Sequence, residues 1–422
     1  MQKYDLVVIG GGPAGMAAAV QAKECGVESV VILERAETLG GILEQCIHTG
    51  FGLHYFKEEL SGPEYAARFI ELVDKHGVEV KTETMVINLC ANEGANIVTA
   101  VNNEDGLLEI QAKAVILAMG CRERARGALK IAGTRPAGVM TAGTAQKYVN
   151  IDGYMPGRKV VILGSGDIGL IMARRMTFEG AQVKMVCELM PYSSGLTRNI
   201  VQCLDDFDIP LRLSCTVIDI HGKDRLEGVT IANVDENLKP IKGTEEYVEC
   251  DTLLLSVGLI PENELSRDID LDIDRITSGP VVDEFRETKY PGIFACGNVL
   301  HVHDLVDYVT IESQLAGEGA ARIIKGEKIT SEGVIQTRGI NGVSYIVPQR
   351  VNINTDKDVK LYFRVDKVYK NARIKATCGD TIISDRKKPK LAPGEMESII
   401  VKNDVLKSLE SGSEIIIQVE AE

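Results

Sequence analysis

Apolar runs that predict buried strands recur along the first two thirds of the chain. The first and fourth of them are each followed at once by a glycine-rich turn and a segment with helical spacing. This order of strand, turn and helix is typical of α/β units with parallel strands. Because the same order occurs twice, the chain carries two copies of one unit. The predicted strands lie at residues 6–9, 30–33, 115–118, 160–163, 183–186 and 253–255.

The pattern changes after about residue 330, where short runs alternate between apolar and polar positions. Alternation with a period of two, broken by Asp, Asn, Gly and Pro, predicts an antiparallel β domain. Nothing in this region points to chemistry, so we interpret it as a structural or interaction module, with contact to a partner or to another protomer favoured. The runs lie at 359–365, 373–377, 397–401 and 413–419.

In each unit, one glycine fingerprint follows the first strand and predicts dinucleotide binding. The first glycine makes a tight turn, the second lets the backbone approach a pyrophosphate, and the third lets the helix pack on the strand. The pyrophosphate then rests on the helix N-terminus, where free N–H groups favour an anion. A carboxylate after the second strand can accept from both ribose hydroxyls. These residues are Gly10, Gly12, Gly15 and Glu34 in the first unit, and Gly164, Gly166, Gly169 and Glu188 in the second.

Two such sites in one chain predict two cofactors, and Glu188 indicates which nicotinamide cofactor is used. Its negative charge would meet the 2′-phosphate of NADP, for which an arginine is the usual partner. We therefore expect the second site to prefer NAD over NADP.

Composition excludes several classes of partner. The 422 residues carry a formal net charge of −14 and a pI near 5.1, which argues against nucleic acid or an anionic membrane as an electrostatic partner. A basic cluster at residues 386–388 is interpreted as a solvated loop. No apolar run is long enough to cross a bilayer, and the first strand begins too early to leave room for a signal peptide. We expect a cytoplasmic protein.

The ten cysteines are scattered, and no two of them form a Cys-x-x-Cys pair. This distribution fits reduced cytosolic thiols rather than a disulfide scaffold or a zinc cluster. It also excludes the usual internal redox dithiol.

Residues 288–298 form a short buried strand ending in Gly297-Asn298, and the spacing after it predicts a helix over about 310–325. The two fingerprints and the glycine turns of both units precede this strand and helix. The resulting order of motifs over about residues 1–327 resembles that of the two-dinucleotide-binding flavoproteins, also called the pyridine nucleotide-disulfide oxidoreductase superfamily. The resemblance implies that the first fingerprint binds FAD and that an inserted domain binds the nicotinamide cofactor. The implied fold class is α/β, with two Rossmann-like dinucleotide-binding domains, the second inserted in the first, and a C-terminal antiparallel β domain.

We accordingly assign residues 1–125 and 276–330 to the FAD-binding domain, 126–275 to the NAD-binding domain and 331–422 to the C-terminal β domain. The resemblance adds further residues to both cofactor sites. For FAD these are Pro13, Ala14, Arg35, Gly41, Gly120, Gly297, Asn298 and Thr310, and for NAD they are Asp167, Ile168 and Gly258.

The chain departs from the family pattern at Asn298, where an aspartate is usual. An amide can still accept through oxygen and donate through nitrogen, so flavin binding should survive. The helix beginning near Thr310 is expected to point its N-terminal amides at the flavin pyrimidine edge and to stabilise the anionic reduced flavin.

A second departure lies in the segment 40–52, where disulfide reductases carry a Cys-x-x-x-x-Cys pair stacked on the flavin. This chain has only Cys46 there, so a dithiol shuttle is not expected. Cys46 and His48 are candidate catalytic residues because this segment flanks the flavin in the family, and an imidazole titrates near neutral pH. The alternative, pocket lining without proton transfer, has equal weight.

His301 and His303 stand two residues apart directly after Gly297-Asn298, without a third clustered ligand. No metal site is expected from two histidines alone. We interpret them instead as a border of the flavin or acceptor site.

A narrower resemblance in residues 40–52, 164–169 and 297–304 is to NADH oxidase subunits associated with glycerol-3-phosphate dehydrogenases, and to flavoprotein subunits of opine and sarcosine oxidases and hydrogen cyanide synthase. This branch implies a partner, either a second flavoprotein or a small cysteine-rich, iron-sulfur type protein. It is also compatible with a homo-oligomer. The leading hypothesis is an FAD-dependent NADH oxidoreductase that passes hydride from NADH to flavin and on to oxygen or a partner. The alternatives are an electron-transfer subunit of a dehydrogenase complex and a catalytically idle FAD-binding scaffold.

Overall fold

The fold is taken from a computed structural model that describes residues 1–92, 95–327 and 332–421. The chain forms two compact units, of which the first combines Met1–Cys121 with Pro261–Glu422 and the second is Arg122–Ile260. The domain limits expected at residues 125 and 275 stay predictions, and the limit expected at residue 330 lies outside the described residues.

Eight helices are present in the described part of the chain, and none of them is both long and apolar enough to span a bilayer. They are α1 Pro13–Glu24, α2 Gly62–Lys75, α3 Ala142–Asn150, α4 Asp167–Phe178, α5 Thr197–Cys203, α6 Glu264–Asp268, α7 Val306–Ile324 and α8 Asn403–Lys407.

Strands make up most of the remaining regular structure. The first eight are β1 Gln2–Ile9, β2 Val30–Leu33, β3 Thr49–Phe51, β4 Leu60–Ser61, β5 Glu79–Lys81, β6 Met85–Cys90, β7 Asn96–Asn102 and β8 Gly106–Leu117. The next twelve are β9 Cys121–Glu123, β10 Ala132–Gly133, β11 Val139–Thr141, β12 Lys159–Leu163, β13 Gln182–Cys187, β14 Leu211–Arg212, β15 Cys215–Gly222, β16 Leu226–Asn233, β17 Glu246–Glu249, β18 Thr252–Leu255, β19 Leu259–Pro261 and β20 Ile293–Ala295. The last eight are β21 Val334–Gly339, β22 Val343–Val347, β23 Arg350–Asn352, β24 Val359–Val365, β25 Tyr369–Cys378, β26 Thr381–Leu391, β27 Glu397–Val401 and β28 Glu414–Ala421.

The main sheet of the first unit has the strand order β5-β2-β1-β8-β7-β6, and β20 also pairs with β8. Strands β2, β1, β8 and β20 run parallel, with Val8 opposite Ile32 on one side and Ile116 on the other. These strands are buried on both faces, which explains their continuous apolar runs. Because parallel strands end at the same edge, the turns after β1, β2, β8 and β20 come together there.

The second unit repeats this arrangement with the parallel order β11-β18-β12-β13-β14. Leu163 at the end of β12 lies opposite Cys187 and Leu255, so the turns after β12, β13 and β18 share one edge. A separate sheet of the order β10-β15-β16-β17 accompanies it.

The C-terminal module consists of two sheets, β23-β21-β28-β25-β26 and β22-β24-β27, around an apolar core that includes Phe363, Ile374 and Ile417. The strands predicted at 359–365 and 397–401 are confirmed as β24 and β27. The expectation of purely antiparallel pairing was wrong at one place, because β21 and β28 run parallel.

The expectation of a solvated loop at residues 386–388 was also wrong. These residues belong to β26, which pairs with β25 on one side and lies at the edge of its sheet. Lysines and a proline protect an exposed strand edge from pairing with other chains, so a sequence rich in both resembles a loop although it forms a strand.

The helix expected to begin near Thr310 begins four residues earlier, at Val306. Its N-cap is Leu305, whose side chain makes no capping hydrogen bond. Without a Ser, Thr, Asp or Asn at that position, the sequence carries no signal for the start of the helix.

Candidate functional site

The turn after β1 is shaped to accept a pyrophosphate. Gly10 has a φ of 107°, and a Cβ at this position would lie 2.5 Å from the carbonyl oxygen of Ala118. At Gly12, by contrast, φ is −75° and a Cβ would meet nothing within 4 Å. Packing in the protein therefore requires a glycine at position 10 but not at position 12. The open space beside Gly12 lies at the start of α1, where no side chain caps the free N–H groups.

Glu34 closes this turn from the end of β2. Its Oε2 accepts from the Gly11 N–H at 2.6 Å, and its Oε1 accepts from the Ala36 N–H at 2.8 Å. The carboxylate is buried, and each oxygen keeps a lone pair that can accept from a ribose hydroxyl. The neighbouring Arg35 is exposed to solvent.

The turn after β12 in the second unit has the same construction. Gly164 has a φ of 99°, and a Cβ there would lie 2.0 Å from the Ser256 carbonyl oxygen, whereas a Cβ on Gly166 would meet nothing closer than 3.5 Å. Glu188 is buried and accepts from the Ser165 N–H at 2.9 Å, the Ser165 hydroxyl at 2.6 Å and the Met190 N–H at 2.9 Å. Its position in this unit matches that of Glu34 in the first.

Asp167 and Ile168 open helix α4 beside this turn. The Asp167 Oδ1 accepts from the Leu196 N–H at 2.8 Å and from the Asn199 Nδ2 at 2.6 Å, so the carboxylate holds the start of α5. Ile168 is half-buried. Gly258 follows β18 with a φ of 102°, and a Cβ there would meet nothing within 4 Å.

Gly120 and Gly297 lie at the same edge of the first unit. Gly120 follows β8 with a φ of 72°. Gly297 follows β20, and a Cβ on it would lie 2.7 Å from the Cβ of Ala14, which is the second residue of α1. Gly41 also lies here, since a Cβ on it would be 3.1 Å from the Cα of Gly12. The structure thus brings the predicted glycines of the FAD site together.

The segment around Cys46 and His48 lies between a short 3-10 turn, Gly41–Gln45, and β3. Burial raises the pKa of the Cys46 thiol to about 12, so this sulfur is a neutral thiol at physiological pH rather than a nucleophilic thiolate. The His48 ring packs against Phe51, with 5.0 Å between ring centroids. All ten cysteines are free, and those that flank Cys46 in sequence, Cys25 and Cys90, lie on α1's C-cap and on β6.

Asp307, which the sequence reasoning missed, anchors the end of this segment to α7. Its buried carboxylate accepts from the N–H groups of Gly52, His54 and Tyr55, at 3.1, 3.1 and 2.7 Å. Thr310, expected to face the flavin, is buried in the second turn of α7, where its hydroxyl bonds the Tyr65 hydroxyl at 2.7 Å. Because α7 begins at Val306, Thr310 lies beyond the free N–H groups of the first turn, so the expectation that the helix presents its N-terminal amides from Thr310 was wrong in position.

Asn298 is held by the chain that follows it. Its Oδ1 accepts from the His303 N–H at 3.0 Å, and its Nδ2 lies 3.6 Å from the Cys121 sulfur. Since a backbone N–H can only donate, the amide oxygen is committed to His303. Asn298 therefore offers its NH₂ group as a donor on its other side, which an aspartate could not do.

Glu312 of α7 is the centre of a buried polar cluster behind Gly297 and Asn298. Its Oε1 accepts from His301 Nε2 at 2.9 Å and Arg286 Nε at 3.1 Å, and its Oε2 accepts from His303 Nε2 at 2.8 Å and the Gly297 N–H at 3.3 Å. Burial lowers the pKa of His301 to about 4, so this imidazole is neutral at pH 7. Burial alone would raise the pKa of the Glu312 carboxyl, but His301, His303 and the Arg286 guanidinium, which surround it as hydrogen-bond donors, hold this pKa well below its ordinary value.

His301, His303 and Glu312 could together offer three ligand atoms to a metal ion, because these atoms lie within 4.8 Å of one another. Two features weigh against a metal. Arg286 already neutralises the carboxylate, and the Nδ1 atoms of both histidines have no hydrogen-bond partner in the described residues, whereas metal-bound histidines usually donate from their second nitrogen. The expectation that no third possible ligand clusters with the two histidines was wrong, because Glu312 lies nine residues beyond His303 on another element and its position has no local signal in the sequence.

Comparison with known proteins places this site in context. A model of the pyridine nucleotide-disulphide oxidoreductase family matches residues 4–317. Hydrogen cyanide synthase subunit HcnB of Pseudomonas protegens is 27% identical over 290 residues, covering 63% of this chain and 59% of that protein. A subunit of the opine oxidase of Agrobacterium tumefaciens is 26% identical over 320 residues, covering 70% of this chain and 61% of that protein. The chain thus matches about three fifths of the length of these relatives.

Among solved structures, thioredoxin reductase of T. acidophilum superposes with a TM-score of 0.64 at 24% identity, covering 76% of this chain and 98% of that one. This likeness concerns the fold alone.

Proposed function

Because the chain belongs to the pyridine nucleotide-disulphide oxidoreductase family, whose members use FAD and NAD(P)H, we propose that it is an FAD-dependent NADH oxidoreductase that delivers electrons to oxygen or to a partner's redox centre. The observation that carries this proposal is the pair of matching turns, each with an open second glycine and a buried carboxylate bonded to the turn. We assign FAD to the turn after β1 and NADH to the turn after β12. When bound, the flavin supplies the hydride-accepting and electron-passing chemistry.

The protein's own residues bind the two cofactors, orient them and polarise the flavin. Gly12 and the free N–H groups of α1 receive the pyrophosphate, and Glu34 receives the ribose. Asn298 donates its NH₂ group to an oxygen of the cofactor. Asp307 fixes the segment that carries Cys46 and His48 against the start of α7, whose N-terminal N–H groups favour negative charge.

No dithiol takes part in this proposal. Cys46 stands alone in its segment and is a neutral thiol, so it serves as pocket lining or as a proton donor rather than as a nucleophile. His48 is the other candidate for proton transfer. The cytoplasmic location expected from the ten free cysteines belongs to the same proposal.

An anaerobic absorption titration of the purified protein with NADH and then with NADPH tests the proposal. We expect a flavin band that NADH bleaches at stoichiometric concentration and that NADPH bleaches less readily. A protein that binds no FAD, or an FAD band that neither nucleotide bleaches, would contradict an NADH oxidoreductase.

A second candidate function is an electron-transfer subunit, favoured by the matches to opine oxidase and hydrogen cyanide synthase, since each matched relative is named as one subunit of a larger enzyme. In that case the partner dehydrogenase reduces the flavin, and the flavin reduces NAD. Slow oxidation of the NADH-reduced protein by air, together with ready reduction of NAD by the photoreduced protein, would favour this direction. A scaffold without catalysis predicts that neither reaction occurs.

A further inference from the structure

Lys360 in the C-terminal module is a lysine without a direct ion pair, and the carboxylate whose charge acts on it, Glu312, is already bonded to Arg286. Its Nζ lies 4.8 Å from the ring centroid of Tyr308 and 4.7 Å from that of Tyr362. Across residues 1–92, 95–327 and 332–421, this Nζ makes neither an ion pair nor a hydrogen bond. Other lysines of the module do find carboxylates, as Lys388 does with Glu397 and Lys402 with Asp358.

The position of Lys360 carries an electrostatic cost. The side chain is half-buried, and this burial lowers the pKa of its amino group. Contact with two tyrosine rings offsets part of that cost, since a cation is attracted to the face of an aromatic ring. A half-buried cation that makes no direct ion pair can accommodate a further anionic partner.

Tyr308 places this cation at the N-terminal end of α7. It is the third residue of the helix, and its ring stacks on that of His54 at 5.5 Å between centroids. The nearby carboxylates already have partners, since Asp307 accepts from three N–H groups and Asp304 pairs with Arg364. A cation beside the positive end of a helix is unfavourable unless a negative group lies close to both.

We propose that Lys360 adds a positive charge to the end of the flavin site formed by the first turn of α7, where it stabilises the negative charge that the bound flavin acquires on reduction. The inference rests on the proposed function, because it needs FAD in the first unit. Strand β24, which carries Lys360, lies beyond the family-matched residues 4–317. The module thereby contributes to the redox properties of the flavin as well as to the fold.

The test compares Lys360→Met and Lys360→Gln, which remove the charge, with Lys360→Arg, which keeps it. Lys367→Met is the matched control, because Lys367 is an exposed lysine of the same module whose Nζ lies 5.3 Å from the Tyr369 ring centroid. The probe is sulfite, which adds to oxidised flavins and leaves a negative charge on the pyrimidine ring. The FAD-loaded proteins are titrated with sulfite, and their midpoint potentials are measured against redox dyes.

We expect both uncharged variants to weaken sulfite binding about tenfold or more and to lower the midpoint potential. Lys360→Arg and Lys367→Met should remain within about twofold of the parent protein on the same scale. Parent-like sulfite affinity and potential in either uncharged variant that retains FAD would overturn the inference while leaving the proposed function intact. Failure of the parent protein to bind FAD would instead overturn the proposed function.

Discussion

Glu312 shows how much of this site depends on one buried carboxylate. It is fully buried and accepts from Arg286, two histidines and the N–H of Gly297. A buried charge is tolerated only when it is paired and hydrogen-bonded, and removing one partner leaves the other uncompensated. Gly297, Arg286 and the two histidines are therefore coupled through a single side chain.

Glu312→Gln should lower the free energy of unfolding by about 3 to 5 kcal/mol, because Arg286 would keep its charge without a counter-charge. Glu318→Gln is the control on the same helix, where a partly exposed carboxylate pairs with Arg322 and Lys357; there we expect about 0 to 1 kcal/mol. Denaturant unfolding followed by circular dichroism measures both. Equal losses in the two variants would contradict the role of the cluster.

His301 gives the fold a pH dependence of defined sign. Burial lowers its pKa to about 4 in the folded protein, against about 6.5 in an unfolded chain. Between these values the unfolded chain binds a proton that the folded protein does not, so this histidine's contribution to stability is lost as the pH falls from about 6.5 to about 4. Glu284 and Glu287, whose pKa values burial raises to about 7, act in the opposite sense, since their contribution is lost as the pH rises through about 7.

Compared with the parent protein, His301→Gln should therefore shift the difference in unfolding free energy between pH 7 and pH 5 by about 2 kcal/mol in favour of stability at pH 5. The half-buried His221, which bonds Thr230 in the second unit, provides the control variant His221→Gln. Unfolding curves at the two pH values are compared for the parent and both variants. An unchanged pH dependence in His301→Gln would show that burial does not lower the pKa of His301 in the folded protein.

Glu188 is the residue on which nicotinamide preference should depend. Glu188→Arg replaces a carboxylate by the group that usually accommodates a 2′-phosphate, so the ratio of kcat/KM for NADPH to that for NADH should rise by at least about tenfold. Because the carboxylate also bonds Ser165 and Met190, the rate with NADH should fall as well. Steady-state rates with both nucleotides check this, and a ratio that does not rise would argue that Glu188 does not face the ribose.

At the scale of elements, the buried C-terminal parts of the central parallel strands could be predicted, because a fully buried parallel strand has a continuous apolar run. The starts of β1 at Gln2 and of β8 at Gly106 were missed, because these parts of the strands are partly exposed and lack such a run. The glycine turns could be placed because the spacing of the glycines is set by the turn itself. The first residue of a helix could not be predicted where no capping residue marks it, as the leucine N-cap of α7 illustrates. Contacts between distant elements, such as Glu312 with His303 or Asp307 with Gly52, have no local signature and needed the structure.

The turn after β1 allows a test that separates binding from folding. Gly12→Ala adds a methyl group where the protein leaves open space and where φ is ordinary, so stability should change by less than about 1 kcal/mol. The methyl group would occupy the path of the pyrophosphate, so FAD retention should fall at least about tenfold. Gly127→Ala, at a second open position, should affect neither. FAD content and thermal unfolding of the apoproteins are the measurements, and full FAD retention in Gly12→Ala would contradict the assigned site.

At the scale of the whole molecule, charge is unevenly distributed. The chain carries a net charge of −14, yet residues 331–422 hold 15 basic and 13 acidic side chains. The excess of acidic over basic side chains therefore lies in the family-matched part of the chain. A partner that docks on the C-terminal module does not need to be strongly basic.

The whole molecule should also fail as a disulfide reductase. The flavin-flanking segment holds one cysteine, Cys46, instead of a Cys-x-x-x-x-Cys pair, and our proposal includes no dithiol that exchanges electrons with a substrate disulfide. We expect oxidation of NADH with thioredoxin or glutathione disulfide to be no faster than with oxygen alone. Turnover that depends on either disulfide would require a different electron path.

The covering of His301 by the C-terminal module has a consequence for how this protein can be dissected. Tyr345 and Tyr362 of the module pack on the His301 ring, and Arg364 holds Asp304 and the Val302 carbonyl. A fragment ending near residue 317 would match the family model, but it would open the Glu312 cluster to water. We therefore expect a chimaera that exchanges the module to need equivalents of these three covering side chains if the Glu312 cluster is to stay closed to water.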